Sequence, residues 1–357
     1  MRTSRKRIRK IVLVAILLLI AMKMFGPTWT PPIRGANSIS TLKQIEINGT
    51  GHEVMIRGKD RHNPIIIFVH GGPGCSEIPY VTKYQDLLEQ YFTIVQYDQR
   101  GSGKSYHFFE DYSGLNSDLL VDDLLALTDY VEQEFGQNKV LLIGHSFGTY
   151  IGMKAAAKAP DKFAAYIGIG QVADHVESER DSLAFIIDRA KQAGNLKEAE
   201  QLELLRGPVE RGESYTPRSV IRKYGGAARL IDDNGDYYTG FLFHPEYNGL
   251  DVLRYVKGVA LSQERLLQEE TEHDITHLVR KLDIPFYFVM GQYDYMTSVK
   301  AAKKYYEELE APSKDFIVFE QSAHYPQFEE KESFASWLQQ TWTQSLQSLF
   351  ITLILPE

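Results

Sequence analysis

The sequence predicts an α/β protein in which a mostly parallel β-sheet is covered by helices on both faces. Six short, predominantly apolar runs are typical of strands that are buried on both sides. These runs occupy residues 64–69, 91–97, 139–143, 163–169, 285–290 and 315–319. Helical patterns lie between several of them, and strands that alternate with helices favour parallel pairing. Residues 172–283 lack such a run and show amphipathic helical patterns, which predicts a helical cap inserted into the α/β unit.

A β-hairpin opens the folded body and brings the predicted sheet to eight strands. Alternating residues at 44–48 and 52–57 flank the turn Asn48-Gly-Thr-Gly51. Helical patterns predict helices over 117–135, 150–158 and 299–309, and a last helix from Lys331. The predicted boundaries are 1–36 for an N-terminal segment with its linker, 37–171 plus 284–345 for the α/β core, 172–283 for the cap and 346–357 for an apolar tail.

Charge is distributed unevenly along the chain. Of the 39 basic and 47 acidic side chains, six basic and no acidic ones lie in residues 1–10, so the rest of the chain carries a formal charge of −14. An acidic body repels phosphate backbones, which argues against nucleic acid as a partner. Cys75 is the only cysteine, so an internal disulfide and a multi-cysteine metal site are both excluded.

The basic N-terminus leads into an apolar run at residues 11–21, as in a secretory signal or a signal anchor. No clean Ala-x-Ala cleavage pattern follows the run, which favours a retained anchor. The sequence therefore predicts a transmembrane helix that tethers the protein to a membrane, with the folded body outside the cytoplasm. Secretion after signal cleavage is the alternative.

A serine in a characteristic turn is the first candidate for chemistry. Gly144-His-Ser-Phe-Gly148 has the pattern Gly-x-Ser-x-Gly between a predicted strand and a predicted helix, which is typical of a nucleophile elbow. Ser146 is therefore the predicted nucleophile, and its hydroxyl needs a base and an orienting acid. Asp294 and His324 each follow a predicted strand by four or five residues, in the order Ser, Asp, His, and are predicted to complete a catalytic triad.

A glycine-rich turn, His70-Gly-Gly-Pro-Gly74, directly follows the first of the apolar runs. Its glycines let backbone N–H groups approach the nucleophile, where they would stabilise an oxyanion. The predicted donors are the amide of Phe147 and that of Gly72, with Gly71 as the second choice, because Pro73 has no N–H.

Five sequence features carry a resemblance to a known family. They are the turn 70–74, Asp98-Gln-Arg-Gly-Ser-Gly-Lys-Ser105, the Ser146 elbow, Gly291-Gln-Tyr-Asp294 and His324. Together they resemble the α/β-hydrolase superfamily and, more narrowly, its proline iminopeptidase (prolyl aminopeptidase) branch, over about residues 40–340. The resemblance implies an α/β-hydrolase fold with a helical cap and a serine hydrolase that removes an N-terminal residue, often proline, from short peptides. Such chemistry proceeds through an acyl-enzyme and requires no metal or organic cofactor.

Two other functions are compatible with these residues. The same chemistry would serve a carboxylesterase or lactonase. A non-catalytic binding protein with this fold is an alternative of a different class, although the complete set of Ser146, Asp294 and His324 argues against it.

The substrate's free ammonium group calls for a carboxylate, normally from the cap. Glu246 lies in the apolar-flanked segment 241–247 and is the predicted substrate-binding residue.

Overall fold

The structure is a computed structural model. It describes the backbone of residues 2–354 and the side chains of Arg7 and of residues 9–342. Residues 355–357 of the predicted apolar tail lie outside the described residues, and the backbone of 346–354 continues the last helix.

The predicted mostly parallel sheet of eight strands is confirmed within the described residues. The strands are β1 (Ile39–Ile47), β2 (Thr50–Gly58), β3 (Ile65–Val69), β4 (Thr93–Tyr97), β5 (Val140–His145), β6 (Phe163–Ile169), β7 (Phe286–Gly291) and β8 (Lys314–Phe319). Their order across the sheet is β1-β2-β4-β3-β5-β6-β7-β8. Both antiparallel pairings involve β2, which lies between β1 and β4, and the pairings among β3 to β8 are all parallel.

Helices connect the strands and cover the sheet. They are α1 (Arg2–Phe25), α2 (Ser117–Phe135), α3 (Phe147–Lys158), α4 (His175–Gln192), α5 (Leu196–Glu203), α6 (Arg206–Glu210), α7 (Arg218–Lys223), α8 (Asp233–Phe243), α9 (Gly249–Glu272), α10 (Ile275–Leu278), α11 (Val299–Glu308), α12 (Pro326–Glu329) and α13 (Lys331–Ile354). Helices α4 to α10 all lie between β6 and β7 and form the cap.

Strand β3 shows why the apolar runs belong in the middle of the sheet. Ile65 and Ile67 join the hydrophobic cluster that includes Leu124 of α2, whereas Ile66 joins the cluster on the opposite face, which includes Phe334 of α13. Alternate side chains of a strand point to opposite faces, so a strand covered on both sides must be apolar throughout.

The hairpin and α2 end where local chemistry requires it. Asn48 and Gly49 have φ values of 47° and 80°, the left-handed backbone that a tight hairpin turn needs. The side chain of Asn116 accepts a hydrogen bond from the N–H of Leu119 at the start of α2, and Gly136 closes the helix with φ 65°.

The N-terminal helix differs from the membrane anchor predicted from the sequence. No helix within the described residues is both long and apolar enough to cross a membrane. The predicted transmembrane anchor, and with it the predicted localisation as a membrane-anchored protein, are therefore wrong. The physical reason is length: residues 11–22 rise only about 18 Å as a helix between Lys10 and Lys23, whereas a hydrocarbon core measures about 30 Å. Lys23 instead donates to the carbonyl oxygens of His244 and Tyr247 in the cap, at 3.4 and 3.3 Å.

The segment after α1 is bound to the body along its length. Arg57 donates to the hydroxyl of Thr30 at 2.7 Å and to the carbonyl of Pro31 at 2.6 Å. Lys104 donates to the hydroxyl of Thr28 at 2.7 Å. Buried guanidinium and ammonium groups thus hold a segment that the sequence presents as a linker.

Candidate active site

Three loops at the carboxyl ends of parallel strands bring the predicted triad residues to one edge of the sheet. Ser146 directly follows β5, Asp294 lies three residues after β7, and His324 lies five residues after β8. Because β5, β6, β7 and β8 are consecutive and parallel in the sheet, these loops meet at the same edge.

The backbone at Ser146 has the strained geometry of a nucleophile elbow. Its φ of 54° is in a region that non-glycine residues rarely occupy. The turn needs glycine on either side. A β-carbon at Gly144 would lie 2.6 Å from the carbonyl oxygen of Gly148, and one at Gly148 would lie 2.0 Å from that of Val69. Helix α3 begins at the next residue, Phe147, so the serine lies at a helix N-terminus, where partial positive charge favours an anion.

His324 and Asp294 form a buried hydrogen-bonded pair. Nδ1 of His324 lies 2.9 Å from Oδ2 of Asp294. The other carboxylate oxygen accepts the backbone N–H groups of Met296 and Thr297, at 2.9 and 3.0 Å, and the Thr297 hydroxyl donates to Oδ2 at 2.9 Å. Since a carboxylate faces Nδ1, the proton of the neutral ring belongs on Nδ1, which leaves Nε2 with the lone pair that a general base needs.

The glycine-rich turn lies against the serine and is held by the neighbouring motif. A β-carbon on Gly71 would lie 2.7 Å from Cβ of Ser146. Gln99 donates through its side chain to the carbonyl of His70 at 2.7 Å and through its backbone to Nε2 of His70 at 3.2 Å. Burial lowers the pKa of His70 to about 4, so the ring is neutral and accepts at Nε2. The Asp98–Ser105 motif thus supports the turn that contains Gly72.

A cavity of about 670 Å³ separates this edge of the sheet from the cap. That size suits a small organic molecule or short peptide. Its core side is lined by Gly71, Gly72, Ser146, Phe147 and His324, so the structure brings the predicted triad serine and histidine and both predicted oxyanion donors to one cavity.

The cap side of the cavity combines aromatic rings with charged groups. Tyr237 and Tyr255 contribute rings, with centroids 5.4 Å apart. Glu179 is buried and forms an ion pair with Arg218, and its other carboxylate oxygen accepts a hydrogen bond from the backbone N–H of Thr216 at 2.6 Å. This carboxylate is therefore already paired with a cation.

Glu270 on α9 is a second carboxylate on the cap side of the cavity. Burial raises its pKa to about 7, the negative charges of Glu179 and Asp274 add to the effect, and Arg218 opposes it. A carboxylate that is largely removed from water is costly when ionised, so a cationic group entering the cavity would be favoured beside it.

The structure places the predicted substrate-binding residue Glu246 away from this cavity. Its side chain is fully buried between the cap and the segment after α1, where it accepts the hydroxyl of Thr30 at 3.1 Å. The cavity lining does not include it. The correction has a simple cause, because apolar neighbours in the sequence signal burial but not the cavity at which a buried side chain points.

Three residues that line the cavity, His145, Glu77 and Glu270, were not predicted from the sequence. His145 precedes the serine, and its Nδ1 lies 2.6 Å from a carboxylate oxygen of Glu77. His145 occupies the variable position before the serine in the elbow pattern, and the pattern tolerates any residue there. Glu77 and Glu270 have no sequence signal of their own, since each is one of 47 acidic residues.

Known proteins resemble this chain in sequence and in fold. The family described as alpha/beta hydrolase fold matches residues 64–331. The probable aminopeptidase YbaC of Bacillus subtilis (strain 168) is 31% identical over 315 residues, covering 84% of this chain and 96% of that protein. A proline iminopeptidase of Saccharolobus solfataricus is 25% identical over 296 residues, covering 78% and 84%.

Among solved structures, the proline iminopeptidase of Mycobacterium smegmatis shares the fold, with a TM-score of 0.64 at 15% identity over 85% of this chain and 98% of that one. The resemblance inferred from the sequence motifs is thereby confirmed. The chain belongs to the α/β-hydrolase family and is a serine hydrolase related to the aminopeptidases of that family.

Proposed function

We propose that this protein is an aminopeptidase that releases the N-terminal residue of short peptides, with Ser146, His324 and Asp294 as its catalytic triad. The observation that carries the proposal is the joint geometry: a strained serine at a helix N-terminus and a buried His–Asp pair on one edge of the sheet, with the serine and the histidine facing one cavity. The names of the relatives support the choice of peptides over esters.

The proposed reaction is acyl transfer in two steps. His324 takes the proton of the Ser146 hydroxyl through Nε2 as the oxygen attacks the carbonyl carbon of the first peptide bond. The amides of Gly72 and Phe147 stabilise the resulting oxyanion. The histidine then gives the proton to the leaving amine, the C–N bond breaks, and an ester joins Ser146 to the first residue. Water, deprotonated by His324, cleaves that ester and restores the serine.

Glu270 is the proposed partner of the substrate's ammonium group. Its carboxylate lines the cavity, and the adjacent carboxylate of Glu179 is already paired with Arg218. The rings of Tyr237 and Tyr255 offer an apolar wall to the side chain of the first residue, and a compact ring such as that of proline fits such a wall.

A substrate panel on the full chain tests the choice of substrate. Proline and other aminoacyl arylamides are compared with the same arylamides carrying an acetylated amine and with short acyl esters. The proposal expects turnover of the free-amine arylamides and little of the acetylated ones. Hydrolysis of acetylated arylamides or simple esters, with no turnover of free-amine compounds, would identify an esterase or lactonase instead.

Covalent labelling tests the nucleophile. A fluorophosphonate reporter is expected to label the wild-type chain and to leave Ser146→Ala unlabelled. The matched control is Ser113→Ala, in an exposed loop, which should label like the wild type. Labelling and turnover that persist in Ser146→Ala would contradict the proposed mechanism.

A further inference from the structure

We propose that Glu77 and His145 form a buried carboxylate–imidazolium pair that positions His324. His145 donates one ring proton to Glu77 and the other to the backbone carbonyl of the triad histidine. The positioning role rests on the proposed triad, whereas the charge state of His145 does not depend on it.

Both nitrogens of the His145 ring face acceptors. Nδ1 lies 2.6 Å from a carboxylate oxygen of Glu77, and Nε2 lies 3.0 Å from the carbonyl oxygen of His324. A carbonyl oxygen has no proton to give, so the ring must donate there. A neutral imidazole would then have to accept at Nδ1, which requires Glu77 to keep its own proton and donate it. Protonation of both nitrogens satisfies both contacts, and this makes His145 an imidazolium.

Burial does not prevent this charge state, because its counter-ion is buried with it. His145 and Glu77 expose 3% of their surface each. Burial alone would lower the pKa of the His145 ring, but the charge and the hydrogen bond of Glu77 outweigh it, so the pKa is raised above its ordinary value. Two opposite charges in direct contact also avoid the cost that one unpaired buried charge would carry.

The charged pair lies beside the proposed general base. The ring centroids of His145 and His324 are 4.9 Å apart. The titratable groups that face His145 are Glu77 and His70 from the segment after β3, Asp294 from the loop after β7, and His324 and Tyr325 from the loop after β8.

The hydrogen bond between His145 and the His324 carbonyl also links the loop that contains Ser146 to the loop that contains His324. His145 directly precedes Ser146, and its Nε2–H holds the backbone of His324. The nucleophile and its base are thus connected through one side chain on the core side of the cavity. Positioning of this kind affects rates strongly, because an error of about 1 Å in such an arrangement can cost on the order of a hundredfold in rate.

The charge state of His145 is measured on the wild-type full chain. The protein is labelled with ¹⁵N-histidine, and the ring resonances of His145 are assigned from the signal that changes in Glu77→Gln or disappears in His145→Gln. Two protonated ring nitrogens at pH 7.5 are expected. A neutral ring with one N–H at that pH would overturn the proposal. This measurement needs neither substrate nor activity, so it remains valid if the proposed function fails.

The positioning role is measured as the pH dependence of fluorophosphonate inactivation. His145→Gln removes the cation and leaves the Glu77 carboxylate without its counter-ion on the cavity wall that it shares with His324, which favours protonation of that base. We expect the acid limb of the rate profile to move up by about one pH unit, so that the rate at a given pH on that limb falls about tenfold. Glu77→Gln removes the opposite charge, so its acid limb should stay or move down.

Two further variants distinguish the expected shift of the acid limb from a general loss of structure. The double variant Glu77→Gln/His145→Gln is neutral, so its acid limb should return close to that of the wild type. The control His62→Gln removes a histidine whose Nδ1 also lies 2.8 Å from a carboxylate, that of Asp60, but on the exposed surface. It should leave the profile unchanged. A His145→Gln profile that keeps its acid limb, or moves it down, would refute the positioning role. Absence of labelling in the wild type would instead refute the proposed function.

Discussion

The two walls of the cavity are built by different means. On the core wall, the groups that would do the chemistry are at the ends of parallel strands, and glycines such as Gly144 and Gly148 bring the backbones so close that a single β-carbon would collide. On the cap wall, the groups project from helices and are arranged by ion pairs and aromatic contacts, as with Glu179 and Arg218.

This difference suggests that the core wall performs the reaction and that the cap wall selects the substrate. A wall fixed by backbone contacts holds reacting atoms in place through many turnovers, which is the requirement for transition-state stabilisation. A wall made of side chains on helices can change its charge or shape without disturbing the sheet. Substitutions on the core wall should therefore change kcat or folding, and substitutions on the cap wall should change KM.

The largest effect on the core wall is expected from Asp294→Asn. The N–H groups of Met296 and Thr297 require an acceptor at one position, so the amide nitrogen must take the position that faces Nδ1 of His324. Two donors then face each other, and the ring moves its proton to Nε2, where the base is needed. We expect kcat to fall by roughly 10³–10⁴ with little change in KM.

The measurement is steady-state turnover of the best arylamide from the panel. Asp283→Asn is the matched control, because that carboxylate is exposed and pairs only with Lys281 among the described residues. It should retain full activity. An Asp294→Asn protein with near-normal kcat would show that the carboxylate does not set the tautomer.

Gly148→Ala tests whether backbone proximity builds the core wall. Its β-carbon would lie 2.0 Å from the carbonyl oxygen of Val69, so either α3 or β3 has to move. We expect a loss of about 3 kcal/mol in the free energy of unfolding, together with loss of activity. Gly114→Ala is the control, since no atom beyond its own residue and its two chain neighbours lies within 4 Å of its β-carbon. The free energies of unfolding of both variants are measured by chemical denaturation. Equal values would show that close backbone contact at Gly148 does not determine the stability of the core wall.

The same division explains which parts of the fold were predictable. Strand β3 and its neighbours carry a local signal, because burial on both faces makes nearly every residue apolar. The cap carries a weaker sequence signal, because α6 and α10, with five and four residues, are too short to show a helical period. The segment after α1 resembles a linker because its contacts come from Arg57 and Lys104, which are distant in sequence.

The residues of the site also differ in how far the sequence predicts them. The positions of Ser146, Asp294 and His324 follow from short patterns next to strands, so the sequence alone could suggest them. The partners on the cap wall depend on how helices pack, and the sequence offered many equivalent acids. The prediction of a membrane anchor failed for another reason: composition indicated an apolar helix, whereas crossing a membrane depends on uninterrupted length.

Glu270→Gln tests the cap wall, where a change in KM is expected. Removal of the charge should raise KM for free-amine arylamides about tenfold or more and leave kcat nearly unchanged. The pH dependence has a definite sign. Burial raises the pKa of Glu270 to about 7, so the carboxylate ionises as the pH rises through 7. The wild-type KM for a cationic substrate should therefore fall over that range. Glutamine does not titrate, so the KM of the variant should not fall with pH in this way.

A short acyl ester, which has no ammonium group, separates recognition of that group from other effects of pH. Its KM should be the same for wild type and Glu270→Gln. Glu264→Gln, on the exposed face of the same helix, is the matched control. A similar rise of KM for charged and uncharged substrates would assign Glu270 to the shape of the cavity and not to charge recognition.

The smallest kinetic effect is expected from Glu246→Gln, which compares a buried structural carboxylate with the carboxylate of Glu270. Glu246 is outside the cavity, so KM for free-amine arylamides should change by less than about twofold. Stability should respond instead. Burial raises the pKa of Glu246, so the folded protein favours the neutral acid and loses stability as the pH rises through that raised value. Glutamine does not titrate and can still accept the hydroxyl of Thr30, so thermal unfolding between pH 5 and 8 should show a flatter decline for the variant. If Glu246→Gln raised KM as much as Glu270→Gln, the substrate ammonium would reach the Thr30 side of the cap, and the assignment of the two carboxylates would have to be exchanged.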